Sequence, residues 1–323
     1  MGVGRSGGSC FRCRGSGSAR ARSRSPHADA EAEGNAQHGG EGGFITRRIA
    51  FVNEKGGSAK TTLVANLAAY YALRRGRRVL ALDLDPQGQL GKALGVDVHG
   101  AKRSAVDLVV SALLDPSALD DAPPAASGDD LPLVKTRIPG LDLVVANKSL
   151  ALHAGWESGD DDPTGRLRRR LLASPRARGY DFVLMDSPPS FSPLTLGAMR
   201  AADELVVPVP LTYLALDGCA ELLRTLRTVR TRFGHPGLRV SMVVPTFYRR
   251  TRLAHEILER LKQRFSKEIC ATVLGYHVRI DEAQSRGLSI FEYAPKDRGA
   301  LALAAVAEEL EARGPDTARE AAR

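Results

Sequence analysis

The chain has 323 residues, a formal net charge of +9 and 43% hydrophobic residues, enough for one large α/β domain or two small ones with a real buried core. No uninterrupted apolar run approaches the roughly 18 residues that a membrane-spanning helix requires, which excludes that class. Residues 1–43 lack the apolar stretch of a secretory signal, so the cytoplasm is the expected address.

Residues 1–45 are rich in Gly, Ser, Arg and Ala without hydrophobic periodicity. Such a segment cannot bury enough surface to offset ordering entropy, so it reads as a disordered extension. A basic tail that touches DNA or a partner and an over-long start are both open for it. Cys10 and Cys13 form a lone C-x-x-C here, and a zinc site needs a second ligand pair.

Order is expected to begin near residue 47, with one domain over residues 46–312 and a tail over 313–323. Residues 48–53 (RIAFVN) read as a buried strand, residues 54–59 as a Gly-rich turn, and residues 61–74 as a helix. In that helix Leu63, Leu67, Tyr70 and Tyr71 recur at helical spacing. Further apolar runs at 78–83, 141–145, 180–185, 204–209 and 239–244 read as strands, with helical segments between most of them. Strands alternating with helices predict a doubly wound α/β fold, its mainly parallel sheet covered by helices on both faces. Residues 117–130 and 155–164 read as surface loops, and Cys219 and Cys270 as packing residues in apolar surroundings. Residues 220–298 carry sixteen Lys and Arg against eight Asp and Glu. That excess suits a polyanion partner or a solvated basic surface.

Three strand ends carry the chemistry. Lys55-Gly56-Gly57-Ser58-Ala59-Lys60-Thr61-Thr62 lies between a strand and an amphipathic helix, where backbone N–H groups and the helix N-terminus cradle phosphate. Lys60 is placed to reach the β- and γ-phosphates, and the Thr61 hydroxyl to ligate Mg²⁺. The bland alternative is a Gly-rich turn with an accidental Lys-Thr. Glu54 and Ala59 stand where the ordinary phosphate loop has glycines, and a methyl at 59 is accommodated if φ is negative. In the second stretch, Asp83-Leu84-Asp85-Pro86-Gln87-Gly88, two carboxylates share one face of a strand. Asp85 is assigned to orienting the attacking water and Asp83 to support near the metal. The third is an apolar strand ending in Asp186, a Walker B carboxylate that holds Mg²⁺ through water.

The K-G-G-x-x-K-T-T and D-x-D-P-Q-G stretches resemble the deviant Walker A and second motif of the ParA/MinD ATPases. The resemblance covers about residues 48–310 and fits the ParA/Soj partition branch in the blocks 201–208, 244–248, 278–283 and 291–300. It implies an ATPase that uses ATP and Mg²⁺, forms a homodimer on ATP with Lys55 acting in trans, and turns over slowly until stimulated. It also implies that the strand end with Pro245 lines the adenine pocket; Pro295 is assigned to the nucleotide too, although ordinary loop punctuation would explain either proline. Arg250 and Arg279 match the family's DNA-contact positions, with Arg249, Arg252, Lys262 and Arg264 near them in sequence. The stripe Arg224, Arg227, Arg230 reads rather as a solvated helix face. Implied partners are non-specific DNA and a ParB-like centromere-binding protein, with a nucleoid-associated location.

Four rivals are weighed. A MinD-like membrane ATPase needs an amphipathic tail with bulky apolars, and residues 299–323 lack Phe, Trp and Ile. An iron–sulfur reductase relative needs cysteines that Cys219 and Cys270 do not supply. A non-catalytic nucleic-acid-binding protein would not need the intact Lys60, Thr61, Asp85 and Asp186. A relative that positions another cargo is not excluded.

Overall fold

The computed structural model describes Gly2 and residues 45–109, 131–153, 162–213 and 215–314. The expected N-terminal extension with Cys10 and Cys13, the 117–130 loop, most of the 155–164 loop and the tail beyond Gly314 lie outside these residues.

Seven strands form one sheet: β1 (Arg47–Phe51), β2 (Val79–Asp83), β3 (Val134–Lys135), β4 (Leu141–Val144), β5 (Phe182–Asp186), β6 (Glu204–Pro210) and β7 (Arg239–Thr246). Their order is β3-β4-β2-β5-β1-β6-β7. Every neighbouring pair is parallel except β3 with β4. The doubly wound, mainly parallel sheet expected from the sequence is therefore present, with a short antiparallel edge that two residues are too few to announce.

The strands are continuous apolar runs because both faces of the sheet are covered. Ile49 and Phe51 point into one core, Ala50 and Val52 into the other. On the first face lie α1 (Lys60–Arg75), α10 (Val278–Ser285), α11 (Ile290–Tyr293) and α12 (Arg298–Ala312). On the second lie α5 (Arg166–Ala173), α7 (Pro193–Ala201), α8 (Ala215–Arg232) and α9 (Arg252–Arg264). Shorter helices complete the chain: α2 (Gln89–Ala93), α3 (Val106–Val109), α4 (Ser149–His153) and α6 (Pro175–Arg178).

Local chemistry sets the helix ends. Ser192, Thr251 and Ser289 cap α7, α9 and α11 with their hydroxyls, and Glu292 completes a capping box with Ser289. Gly76, at φ 61°, ends α1 in a left-handed turn. Tyr71 of α1 stacks on Phe182 of β5 at 4.3 Å between centroids and donates its hydroxyl to the Ala307 carbonyl of α12. The buried Arg47 guanidinium pairs with Glu204 through two 2.9 Å contacts and donates to the Leu310 carbonyl. This tie joins β1, β6 and α12 and pairs the buried Arg47 charge with its counterion. Cys219 and Cys270 are buried, as their surroundings predicted.

Candidate active site

The carboxyl ends of β1, β2 and β5 meet at the middle of the sheet, and the loop after β1 turns into α1. Parallel sheets bind ligands at such a place. A cavity of about 570 Å³ opens there. Residues 56–62 line it, together with Asp85, Gln87, Gln89, Lys92 and Ala93. Pro189, Phe247, Gln284 and Ser285 complete the rim.

The phosphate loop is braced from behind. Asn53 donates to the Pro208 carbonyl at 2.6 Å and accepts from the Lys55 N–H at 2.9 Å. Thr246 of β7 donates to the Ser58 carbonyl at 3.3 Å. Lys60 is buried, and its ammonium donates to the Asn53 carbonyl at 3.0 Å, the Lys55 carbonyl at 3.1 Å and the Ser58 hydroxyl at 3.4 Å. Burial lowers the Lys60 pKa, and the nearby Asp186 and Asp85 oppose that shift.

Ala59 departs from the sequence expectation. Its φ is 76° and its ψ 21°, so the methyl sits in the left-handed region rather than at negative φ. The loop must turn sharply to present α1's first N–H groups, and glycine would do this without a Cβ penalty.

Three carboxylates converge, and their surroundings separate their roles. Asp186 is fully buried; its Oδ2 accepts from the Thr61 hydroxyl at 2.6 Å, while its Oδ1 is buried without a hydrogen-bond partner. Burial pushes its carboxyl up to about 7, an effect that Asp85 reinforces and the Thr61 hydrogen bond and Lys60 oppose. An orphaned carboxylate oxygen beside a threonine hydroxyl is a hard-oxygen donor set that fits Mg²⁺, whose remaining positions phosphate and water fill. Asp83 pairs in register with Asp186 across β2 and β5. It is fully buried; its Oδ1 accepts from the Asp85 N–H at 3.1 Å and its Oδ2 from the Leu90 N–H at 3.0 Å. Each oxygen accepts from a backbone amide, so Asp83 fixes the turn that carries Asp85. Burial first, then Asp186, raises its pKa well above the ordinary carboxylate value. Asp85 lines the cavity, and its Oδ1 accepts from the Gln87 N–H at 3.0 Å.

Residues 56–62 are brought to the cavity as expected, but Lys55 is not among its lining residues. Gly218 of α8 lies beside the Lys55 side chain, and the Lys55 charge acts on Cys219. Pro245 is buried within β7 and Pro295 is exposed between α11 and α12; neither lines the cavity. Phe247, Gln284 and Ser285 line it instead, with Thr62 donating to Gln284 Oε1 at 3.4 Å. Sequence reasoning missed Gln284, one residue beyond the block 278–283, because nothing in a polar residue near a helix end signals a tertiary neighbour. A smaller cavity of about 60 Å³ adjoins, sharing Ala59, Thr62 and Phe247 and adding Tyr276 and His277.

Of the expected DNA contacts, Arg250 is exposed after β7 and Arg279 is exposed on α10, where it donates to Glu282 at 3.1 Å. A hydrogen bond from the Tyr248 N–H to the Leu274 carbonyl at 3.0 Å joins the two segments. Arg252 and Lys262 pair with Glu256 and Glu259 on the α9 surface, and Arg224 with Glu221 on α8.

The family described as an AAA domain matches residues 46–239. The chain is 42% identical to the chromosome-partitioning ATPase Soj of Thermus thermophilus, over 83% of this chain and 96% of that protein. It is 34% identical to the chromosome partitioning protein ParA of Caulobacter vibrioides, over 85% of this chain and 98% of that protein. Among solved structures, the cobyrinic acid a,c-diamide synthase of Mycobacterium smegmatis, crystallised with ADP and magnesium, superposes with a TM-score of 0.63 at 30% identity. That match covers 83% of this chain and 95% of the synthase. The septum site-determining protein MinD of Pyrococcus horikoshii, at 21% identity and a TM-score of 0.58 over 83% of this chain and 96% of its own, shares the fold. The phosphate loop, the Thr61–Asp186 pair and these likenesses agree: the chain belongs to the ParA/Soj family of P-loop ATPases.

Proposed function

We propose that this ATPase dimerises on Mg·ATP, binds DNA without sequence preference and hydrolyses ATP to drive chromosome or plasmid partition. The observation that carries the reading is the position of Lys55. It belongs to a phosphate loop whose next seven residues line the cavity, yet its side chain runs beside Gly218 of α8. A lysine placed outside its own cavity suits a contact with the nucleotide of a second copy.

Within each subunit, the amides of residues 56–62 and Lys60 would hold the phosphates, and Thr61 and Asp186 would hold magnesium. Bound there, the metal neutralises charge on the phosphates. Asp85, fixed by Asp83, orients the attacking water. Dimerisation doubles the exposed basic surface around Arg250 and Arg279, and phosphate contacts of that kind carry affinity without sequence information. ATP thus shifts the protein from a diffusing to a DNA-bound, nucleoid-associated population, and hydrolysis reverses the shift. A ParB-like centromere-binding protein is the expected stimulator, in keeping with the partition roles that the relatives' names give.

The test is binding to duplex DNA of unrelated sequences at ~100 mM salt with ATP, ADP or no nucleotide. Binding that requires ATP and ignores sequence supports the proposal. Absence of binding in every state overturns the DNA step and favours an ATPase that positions a membrane-associated or protein cargo.

A further inference from the structure

Lys92 lines the same cavity as the phosphate loop. It lies on α2, the helix that follows Asp85, and lines the cavity with Asp85, Gln87 and Gln89. Among the described residues, Lys60 and Lys92 are the cationic side chains lining this cavity, one from the start of α1 and the other from α2. Lys60 is buried and already makes three hydrogen bonds within its own loop. Lys92 is exposed, and its ammonium makes one long contact, a donation to the Gln87 carbonyl at 3.4 Å. An anionic oxygen is a stronger acceptor than that carbonyl at such a distance, so a phosphate displaces the contact.

The platform under Lys92 is fixed. Asp83 holds the N-terminus of α2 through the Leu90 N–H. Beyond its other end, Gly95 packs so closely on Gly287 that a Cβ on Gly287 would lie 2.5 Å from the Gly95 Cα. Arg137 donates to the Leu94 carbonyl at 3.0 Å while gripping Glu292 of α11 at 2.7 and 3.0 Å. A lysine on a helix held at both ends extends its flexible stem from a fixed point, and that point borders the cavity.

We infer that Lys92 is a further nucleotide-contacting residue, whose ammonium takes a phosphate oxygen of the nucleotide in its own subunit from α2. This rests on the reading of the cavity as the nucleotide site. Asp85 lies on the same segment, so the contact also draws the water-orienting carboxylate against the phosphates.

The experiment is calorimetric titration of the full chain with Mg·ATP and Mg·ADP in an Asp85→Ala background, which prevents turnover. Lys92→Ala, Lys92→Arg and Lys60→Ala are compared at low and high salt. Lys92→Ala is expected to raise both dissociation constants about five- to tenfold at low salt. It should flatten their salt dependence and leave the unfolding midpoint unchanged, and Lys92→Arg should recover most of the affinity. Constants within twofold of the parent for Lys92→Ala, with binding lost in Lys60→Ala, would leave the nucleotide site standing and overturn the Lys92 contact. Weaker binding with unchanged salt dependence and no recovery by arginine overturns it as well, since that pattern marks packing. Parental affinity in Lys60→Ala would instead remove the nucleotide-site reading, and the inference with it.

Discussion

Replacing Ala59 with glycine should make the protein more stable, although it deletes a methyl group and adds chain entropy. Ala59 holds φ 76° and ψ 21° at the N-cap of α1, without a side-chain cap. A Cβ in that region costs about 1–2 kcal/mol relative to glycine. Glycine gives back about 0.5–1 kcal/mol through the greater freedom of the unfolded chain. The methyl is only half-buried and lines a cavity, so its removal costs a few tenths of a kcal/mol. The balance favours Ala59→Gly by about 0.5 kcal/mol, or roughly 1–2 °C in the thermal midpoint of a domain this large. Ala59→Val moves the other way by about 1–2 kcal/mol, because a β-branched side chain tolerates left-handed backbone least. Urea and thermal unfolding of the nucleotide-free protein read both shifts. A glycine variant less stable than the parent, or a valine variant equal to it, would refute the argument, since neither fits a strained left-handed residue.

Three further outcomes follow from the site. Lys55→Ala should retain nucleotide binding by the monomer within a few-fold and abolish the ATP-dependent dimer in sedimentation, because Lys55 lies outside its own cavity; an ATP-induced dimer in the variant would remove its role in trans. Burial holds the Asp186 carboxyl at about 7, so the metal-free folded state binds this proton more tightly than the unfolded chain. The resulting stability is fully present below about pH 4 and is lost as pH rises through 7. Asp186→Asn should therefore flatten the decline of the urea midpoint between pH 4 and 7 in the absence of magnesium, and an unchanged slope would show that the proton is elsewhere. Arg279→Glu should weaken DNA binding at least tenfold, by reversing an exposed charge on the proposed DNA-binding surface, with ATP-dependent dimerisation intact; loss of both would make the residue structural.

The sheet was readable because its strands are continuous apolar runs, as RIAF and VLALD show, and because buried parallel strands leave no ambiguity of face. The phosphate loop and Asp186 were readable because short local spacing fixes their geometry. What stayed hidden depends on partners far apart in sequence. Nothing in D-L-D says that Asp83 spends both oxygens on the Asp85 and Leu90 amides. The pairing of Thr62 with Gln284 spans 222 positions, and no local pattern announces it. Lys92 carries no local signal either; it enters the site because α2 brings it to the cavity that Lys60 also lines.

The two violations of local backbone preference point the same way. Among the described residues, Ala59 and Phe247 are the non-glycine positions with positive φ, at 76° and 55°. Phenylalanine in the left-handed region is the more costly of the two, since a bulky side chain is a genuine outlier there. Both residues line the large cavity and the smaller one beside it. They are shared by the two cavities, one in the phosphate loop and one just after β7. Elsewhere the positive-φ positions are glycines, as at Gly76 after α1 and Gly88 before α2. Strain that is absent from the scaffold and concentrated at a ligand-sized opening is held there by surrounding structure, here by the Thr246 bond to Ser58 and the Tyr248 bond to Leu274. Sites of function store strain in this way. The boundary that Ala59 and Phe247 share is therefore where a bound nucleotide is expected to turn from its phosphates toward its base.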